Sequence, residues 1–418
     1  MSKKNTVSSI IIKKLLLIIT ICFSLSAIAQ SVTEASYAPS DKNQFSNNQI
    51  LTTDDLLVNT DFEPVTNNTL PSNILFTYSF NGKLKAYNLD DRKEVWSFTP
   101  KCSIKGSTTN KFTINKGTIY IPFKNGEIYA INGLSGKIFW KSKIGFYSEK
   151  PTLRGQKPQI FNDKIFITSN NKNVYALNIQ KGELEWNYKL DYQYNHVPSL
   201  ISHNKLFIPN APFVFSFDAE TGRPIYKRGF KRAMYSTPTS NSKSIFVANE
   251  SDILFALHPE TLDVLWKFTL EDNQYNVNEK LKANEHNVYI ATWSNPTPNI
   301  ASVYCLKEVN GEKKWKTDFK NTDIKYIELF NNSVYGYTDK GLLFELDKET
   351  GQILKSIKLT NIPISNLELY KKEYLLYFSE VGVIKLNLKT KRETILFSIE
   401  KPTQSGTDAY IKLSTNTK

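Results

Sequence analysis

The chain has little of what catalytic and metal centres are usually built from. Its 418 residues include three cysteines, four histidines and two methionines. Cys22, Cys102 and Cys305 lie far apart, so there is no adjacent cysteine pair and no zinc or redox spacing. His196, His203, His258 and His286 are isolated, and none has ligand spacing to another histidine, a cysteine or an acid pair. They read as surface or packing residues. No Gly-x-Ser-x-Gly elbow, phosphate loop or calcium loop occurs. No catalytic, metal-binding or cofactor-binding residue is therefore assigned, and no cofactor is expected. Beyond residue 29 no apolar run is long enough to span a bilayer, so the mature chain is expected to carry no transmembrane segment.

The formal net charge is +13. Lys3, Lys4, Lys13 and Lys14 precede Ala29 and no acid does, so removing that segment leaves 13 − 4 = +9. The remaining basic residues are interleaved with acids and read as a solvated, Lys-rich surface. No basic stripe or recognised module points to nucleic acid. An anionic membrane surface or an acidic partner stays open.

Residues 1–29 read as an export signal. A Lys-bearing start precedes the apolar run Leu15 to Leu25, and Ala27-Ile28-Ala29 offers small residues for cleavage after Ala29. The rival reading anchors a lipid at Cys22, but Ile21 stands where a lipoprotein signal wants a small residue. The mature chain is expected in the periplasm or at the outer membrane, with secretion as the alternative. Cys102 and Cys305 are expected as free thiols.

The strongest positive signal is self-similarity. A frame recurs at Glu127 to Trp140 and Asn173 to Trp186, and again at Phe213 to Tyr226, Asp252 to Trp266, Ser302 to Trp315 and Leu342 to Lys355. Weaker copies lie at Lys83 to Trp96 and Val383 to Ile395. Anchored on positions 96, 140, 186, 226, 266, 315, 355 and 395, the spacings are 44, 46, 40, 40, 49, 40 and 40. Eight copies at this period predict eight propeller blades.

Ten residues before the anchor stands a small residue: Ala86, Ala130, Ala176, Ser216, Ala256 or Cys305. Four before it stands Gly136, Gly182, Gly222, Gly311 or Gly351, supplying the positive φ of a tight turn. Trp96, Trp140, Trp186, Tyr226, Trp266 and Trp315 are expected to dock blade to blade. The frame decays at Arg92 and Lys391, which replace the glycine, and at Lys355 and Ile395, which replace the tryptophan. Short innermost strands are predicted at Lys150 to Leu153, Val197 to Ile201, Ser236 to Ser240, Lys325 to Leu329 and Ser365 to Leu369. Residues 30–70 read as a polar leader with a candidate strand at Ile50 to Asn59. The propeller spans 71–400, and 401–418 is a tail with a candidate strand at Ala409 to Leu413. Either terminus has a strand able to close the ring.

The frame Tyr-Ala-Leu-Asp-x-x-Thr-Gly-x-x-x-Trp, approached by Phe215 to Tyr226 and Phe344 to Gly351, resembles the pyrroloquinoline quinone (PQQ)-like repeat family. The resemblance covers about residues 74–399. It implies an all-β fold, an eight-bladed β-propeller of four-stranded antiparallel blades. One branch of that family comprises PQQ-dependent dehydrogenases. These resemble one another in an adjacent Cys-Cys pair, a calcium site and long insertions, which this chain lacks. The layout is closer to BamB-type propellers of outer-membrane protein assembly, which are not enzymes. The resemblance therefore implies a non-enzymatic interaction scaffold with an envelope protein partner. A carbohydrate- or small-ligand-binding propeller, with a glycan as ligand, is the alternative, and a PQQ-dependent dehydrogenase is the lesser one.

The candidate binding face comes from the connections between blades. These carry Tyr147, Arg154, Tyr192, Tyr194, His196, Arg232, Tyr235 and Tyr275, and a longer loop in the sixth repeat adds Trp293. Tyr, Trp and Arg are the types enriched at binding hot spots. The competing reading makes these aromatics part of the core near the channel. Pro296 and Pro298 stiffen the Trp293 loop, so Trp293 is expected to stand exposed on the face of Tyr194 and Arg232.

Overall fold

The structure, a computed structural model, describes residues 56–59, 65–79, 82–100, 110–144, 153, 156–169, 172–192, 197–234, 236–249, 252–271, 274–275, 281–294, 300–399 and 408–414. Among these, every regular element is a strand. The strands form eight four-stranded antiparallel blades, an eight-bladed β-propeller. In each blade the strands are named A to D from the axis outward.

The B strands show why the repeats must form a ring. Ile74–Tyr78, Thr118–Pro122, Lys164–Thr168, Ile245–Ala248 and Asn287–Ala291 are buried at every position. A strand covered on both faces needs a neighbour on each side. In blade 2, Ile119 and Ile121 pack into one cluster with Phe76 and Leu84 of blade 1. The intervening Tyr120 packs into another with Ile165 and Ile167 of blade 3. Strand alternation thus splits each blade between its two neighbours.

The chain closes the ring with its C-terminal strand. Tyr410–Leu413 lies antiparallel to Ile74–Tyr78 and becomes strand A of blade 1. The leader strand is Leu56–Asn59 and lies elsewhere. It pairs with the outer strand of blade 2, Ile138–Ile144, as a fifth strand.

The inner strands agree with the sequence expectation in blade 7, overlap it in blades 4, 5 and 8, and depart from it in blade 3. They run Gln159–Phe161, Leu200–Ser202, Thr239–Ser240, Ile324–Phe330 and Glu368–Tyr370. In blade 3 the expected segment lies several residues too early. The reason is the A-to-B turn, which is short and sharply twisted. His203 and Asn204 both have positive φ, as do Lys371 and Lys372. Such a primed turn leaves two residues between strands. Strand A must therefore end next to strand B.

The aromatic packing follows the register. Ala86 lies opposite Trp96 on one side and Phe76 on the other, and the two rings approach to 6.0 Å across it. Tyr120–Ala130–Trp140, Phe166–Ala176–Trp186, Phe246–Ala256–Trp266 and Tyr289–Cys305–Trp315 repeat the arrangement. The small residue thus belongs to the tryptophan's own blade, where it makes room for two rings. The indole's outer face meets the glycine turn of the next blade: Trp96 on Gly136, Trp140 on Gly182, Trp186 on Gly222, Trp266 on Gly311 and Trp315 on Gly351. The indole N–H of Trp96, Trp140, Trp266 and Trp315 donates to the carbonyls of Gly133, Ile179, Glu308 and Lys348. Trp186 makes the same ring contact with no partner for its N–H.

Candidate functional site

Strand order gives the propeller two faces. The A-to-B and C-to-D turns share one, and the D-to-A connections and B-to-C turns share the other. Blade 4 turns from B to C at Asn210–Phe213. The Asn210 side chain receives the Tyr192 backbone N–H at 3.1 Å and donates to the Tyr192 carbonyl at 3.0 Å. On the other flank, the Phe230 and Met234 N–H groups donate to the Pro212 and Ala211 carbonyls. Tyr192 is 43% exposed and Arg232 is exposed, so a bulky ring and a guanidinium stand either side of one turn.

Trp293 belongs to the same face. Gln274–Tyr275, in the connection from blade 5 to blade 6, pairs with Trp293–Ser294 as a two-stranded ribbon, with Tyr275 opposite Trp293. Trp293 is half-buried, not substantially exposed as the loop's composition suggested. The ribbon ties Trp293 to the connection that precedes its blade. Tyr147, Arg154, Tyr194, His196 and Tyr235 lie outside the described residues, as does Cys102.

Cys305 is a free, buried thiol, and burial pushes its pKa up to about 12. That makes it an inert packing residue. His258 has a turn role. Eight residues before six of the eight anchors, Asn88, Asn132, Asn178, Asp218, Asp347 or Asn387 accepts backbone N–H bonds from the C-to-D turn. His258 does this with Nδ1 for Glu260. His203 bridges Ser202 and the Ser242 carbonyl.

The axial channel carries a site that sequence reasoning missed. On each inner strand, one residue pairs with the B-strand position that faces the frame residue ten before the anchor, which is small in six blades and Glu345 and Lys385 in blades 7 and 8. Around the ring these are Lys412, Thr113, Gln159, Leu200, Thr239, Lys282, Glu328 and Glu368. Blades 6, 7, 8 and 1 thus contribute Lys, Glu, Glu and Lys at one level. Lys282 meets Glu328 at 2.8 Å, and Lys412 meets Glu368 at 3.5 Å. The Tyr326 hydroxyl donates to Glu328 at 2.7 Å. Burial would raise the Glu328 carboxyl, but Lys282 and this hydroxyl outweigh it and hold its pKa below the usual value. One layer deeper, two residues earlier on the inner chain, stand Lys111 and Lys157 of blades 2 and 3. Burial, then the nearby lysines, brings Lys111 down to about 7 and Lys157 down to about 8. Both are half-buried by contact yet set inside the channel, where the charged form loses hydration.

The channel opens on the A-to-B face into a pocket of about 770 Å³ between blades 7, 8 and 1. Its lining includes Glu328, Glu368, Lys412, Tyr370, Lys371 and Asp90. This is the face opposite Tyr192 and Arg232.

Three comparisons bear on what such a propeller is like. A family model described as outer membrane protein assembly factor BamB matches residues 80–205. Outer membrane protein assembly factor BamB of Escherichia coli (strain K12) is 29% identical over 83 residues, which is 18% of this chain and 21% of that protein. The match thus spans about a fifth of the curated relative's length. Among solved structures, BamB from Moraxella catarrhalis superposes with a TM-score of 0.60 at 18% identity, over 80% of this chain and 96% of that one. Quinohemoprotein alcohol dehydrogenase from Comamonas testosteroni gives a TM-score of 0.61 at 11% identity, over 84% and 78%. At these identities the structural likeness speaks for the fold alone.

Proposed function

We propose that this chain, a propeller of PQQ-like repeats laid out like BamB, is an exported, non-enzymatic interaction scaffold of the cell envelope. It binds a protein partner, a component of outer-membrane protein assembly, through the face of its D-to-A connections. The observation that carries this reading is the exposed pair Tyr192 and Arg232, held either side of one hydrogen-bonded turn. An aromatic ring and a guanidinium on rigid backbone lose little entropy on binding. The sequence likeness to BamB supports the choice of partner.

The test is cross-linking and pull-down from envelope extracts with the wild-type chain and with Tyr192→Ala and Arg232→Ala. Each substitution is expected to cost about 1–2 kcal/mol of partner binding and to leave the melting temperature unchanged. A strictly monomeric protein that cross-links to no envelope protein would overturn the proposal.

The dehydrogenase likeness gives a second reading that a titration separates. Adding PQQ and calcium to purified protein is expected to produce no new absorbance band and no dye reduction. The chain lacks the adjacent cysteine pair on which the resemblance to those enzymes would rest. Turnover would replace the scaffold reading with an enzymatic one.

A further inference from the structure

We propose that the pocket at the seam of blades 7, 8 and 1 is a binding site for an uncharged saccharide, a short run of pyranose rings. It lies on the face opposite Tyr192 and Arg232, so it stands or falls apart from the protein-partner reading.

The pocket sits where the ring closes. In blade 7 the chain turns from strand A to strand B between Phe330 and Ser333, and in blade 8 between Tyr370 and Tyr374. Blade 1 has no such turn, because its strand A is Tyr410–Leu413 and its strand B begins at Ile74. Two distant segments meet there instead, with the Ser414 hydroxyl donating to the Pro71 carbonyl at 2.5 Å. Ser72, Asn73 and Lys412 of this seam line one side of the pocket, and Asn331, Tyr370 and Lys371 of the neighbouring turns line another. Its volume of about 770 Å³ falls within the range of small-molecule sites, about 300–1,000 Å³.

The charges of the lining argue for a neutral ligand. Asp90, Glu328 and Glu368 stand with Lys371, Lys372 and Lys412, so the two signs balance. On the floor, Glu368 is held by Lys412 at 3.5 Å and Glu328 by Lys282 at 2.8 Å. At the exposed rim, the Lys371 amine lies 3.7 Å from Asp90. An anion or a cation entering here meets its own sign beside its partner, and has to compete with ion pairs already formed. A polyol does not. Each of its hydroxyls both donates and accepts, so it bonds a carboxylate or an ammonium group without separating the pair.

The wall is ordered by its own hydrogen bonds. The Asn73 amide donates to Asp90 Oδ2 at 2.8 Å and to Asn88 Oδ1 at 2.9 Å, and the Tyr370 hydroxyl donates to Asp90 Oδ1 at 3.4 Å. Asp90 thus joins blade 1 to blade 8 and steadies the half-buried Tyr370 ring, which also packs 6.4 Å from Tyr374. Phe330, half-buried as well, lines the blade 7 side together with Leu329. Apolar ring surface therefore lies beside the amides of Asn73 and Asn331. A pyranose has the matching division, with C–H groups on its face and hydroxyls round its edge. Groups already fixed in place lose little entropy when it binds.

The experiment is calorimetric titration of the full mature chain with maltotriose, cellotriose, mannotriose and triacetylchitotriose, and with trigalacturonate as the charged control. At least one neutral probe is expected to bind, with a Kd that stays level from about 50 mM to about 500 mM sodium chloride, because no charge on the ligand is there to be screened. Tyr370→Ala is expected to raise that Kd about tenfold or more, as for an aromatic anchor. Asn331→Gly removes the amide and suits the φ of 51 at that position, so it is expected to raise Kd about threefold to tenfold at an unchanged melting temperature. Should Tyr370→Ala fail to fold, Asn331→Gly decides. No heat from any neutral probe, binding of trigalacturonate alone, an affinity that falls steeply with salt, or a Kd that neither variant moves overturns the proposal.

Discussion

Deleting residues 408–418 is expected to abolish the folded propeller. The closing strand supplies the inner edge of blade 1 and touches both neighbouring blades. Ile411 and Leu413 are fully buried against Leu75 and against Leu376 and Phe378 of blade 8. Tyr410 turns the other way, edge-on to Phe112 at 5.0 Å, at the blade 2 side. Three large side chains at roughly 1.5–3 kcal/mol each come to about 5–9 kcal/mol. That rivals the whole stability of a typical domain, roughly 5–15 kcal/mol.

Polar losses add to this. The Asn366 side chain donates to the Ile411 carbonyl and accepts from its N–H, and the Ala409 N–H donates to the Ile364 carbonyl. Truncation leaves these groups without partners at an opened edge. Circular dichroism and a urea melt are expected to show loss of the cooperative transition. Ile411→Asp, which keeps the chain length, should give the same direction with a smaller effect. An intact transition after the deletion would mean that the ring does not depend on C-terminal closure.

What the sequence revealed and what it hid separate along physical lines. The blade count was legible because most copies share the same local constraints: an asparagine or aspartate cap such as Asn132, a positive-φ glycine such as Gly136, a tryptophan such as Trp140. The inner strands were harder, because two or three residues such as Thr239–Ser240 carry no alternation to read. Closure could not be assigned from composition, since Leu56–Asn59 and Tyr410–Leu413 look alike as strands and differ only in which edge they meet. The channel cluster stayed hidden because Lys282, Glu328, Glu368 and Lys412 sit in four different repeats with no shared motif. The signal that would have found them is register: each pairs with the B-strand position facing the frame residue ten before the anchor. The partner face is a proposal still, since loops between blades follow no frame.

The largest single-site effect is expected at the tryptophan–glycine contact, and there the chain contains its own control. Every glycine turn receives a tryptophan from the blade before: Trp96 with Gly136, Trp140 with Gly182, Trp186 with Gly222, Trp266 with Gly311, Trp315 with Gly351. The three turns without glycine have Arg92, Leu262 and Lys391 there, at φ 55, 55 and 59. The anchors facing them, from the preceding blade in each case, are Ile395, Tyr226 and Lys355. Backbone strain alone therefore does not demand glycine, because three side chains accept the left-handed conformation. The indole demands it: a Cβ on Gly182 would lie 2.5 Å from the Trp140 ring.

Trp140→Ala is expected to cost about 3–5 kcal/mol, read as a lower urea midpoint at unchanged slope. Gly182→Leu is expected to cost about 2–5 kcal/mol, from overpacking and a left-handed non-glycine residue together. Trp140→Tyr combined with Gly182→Leu imitates the natural pair Tyr226 and Leu262, which share one buried cluster. Shrinking the ring makes space for the new side chain, so the double variant should be more stable than the sum of the two single losses, by about 1–3 kcal/mol. Additive losses would mean that the alternation of glycine with tryptophan has another cause than the contact between them.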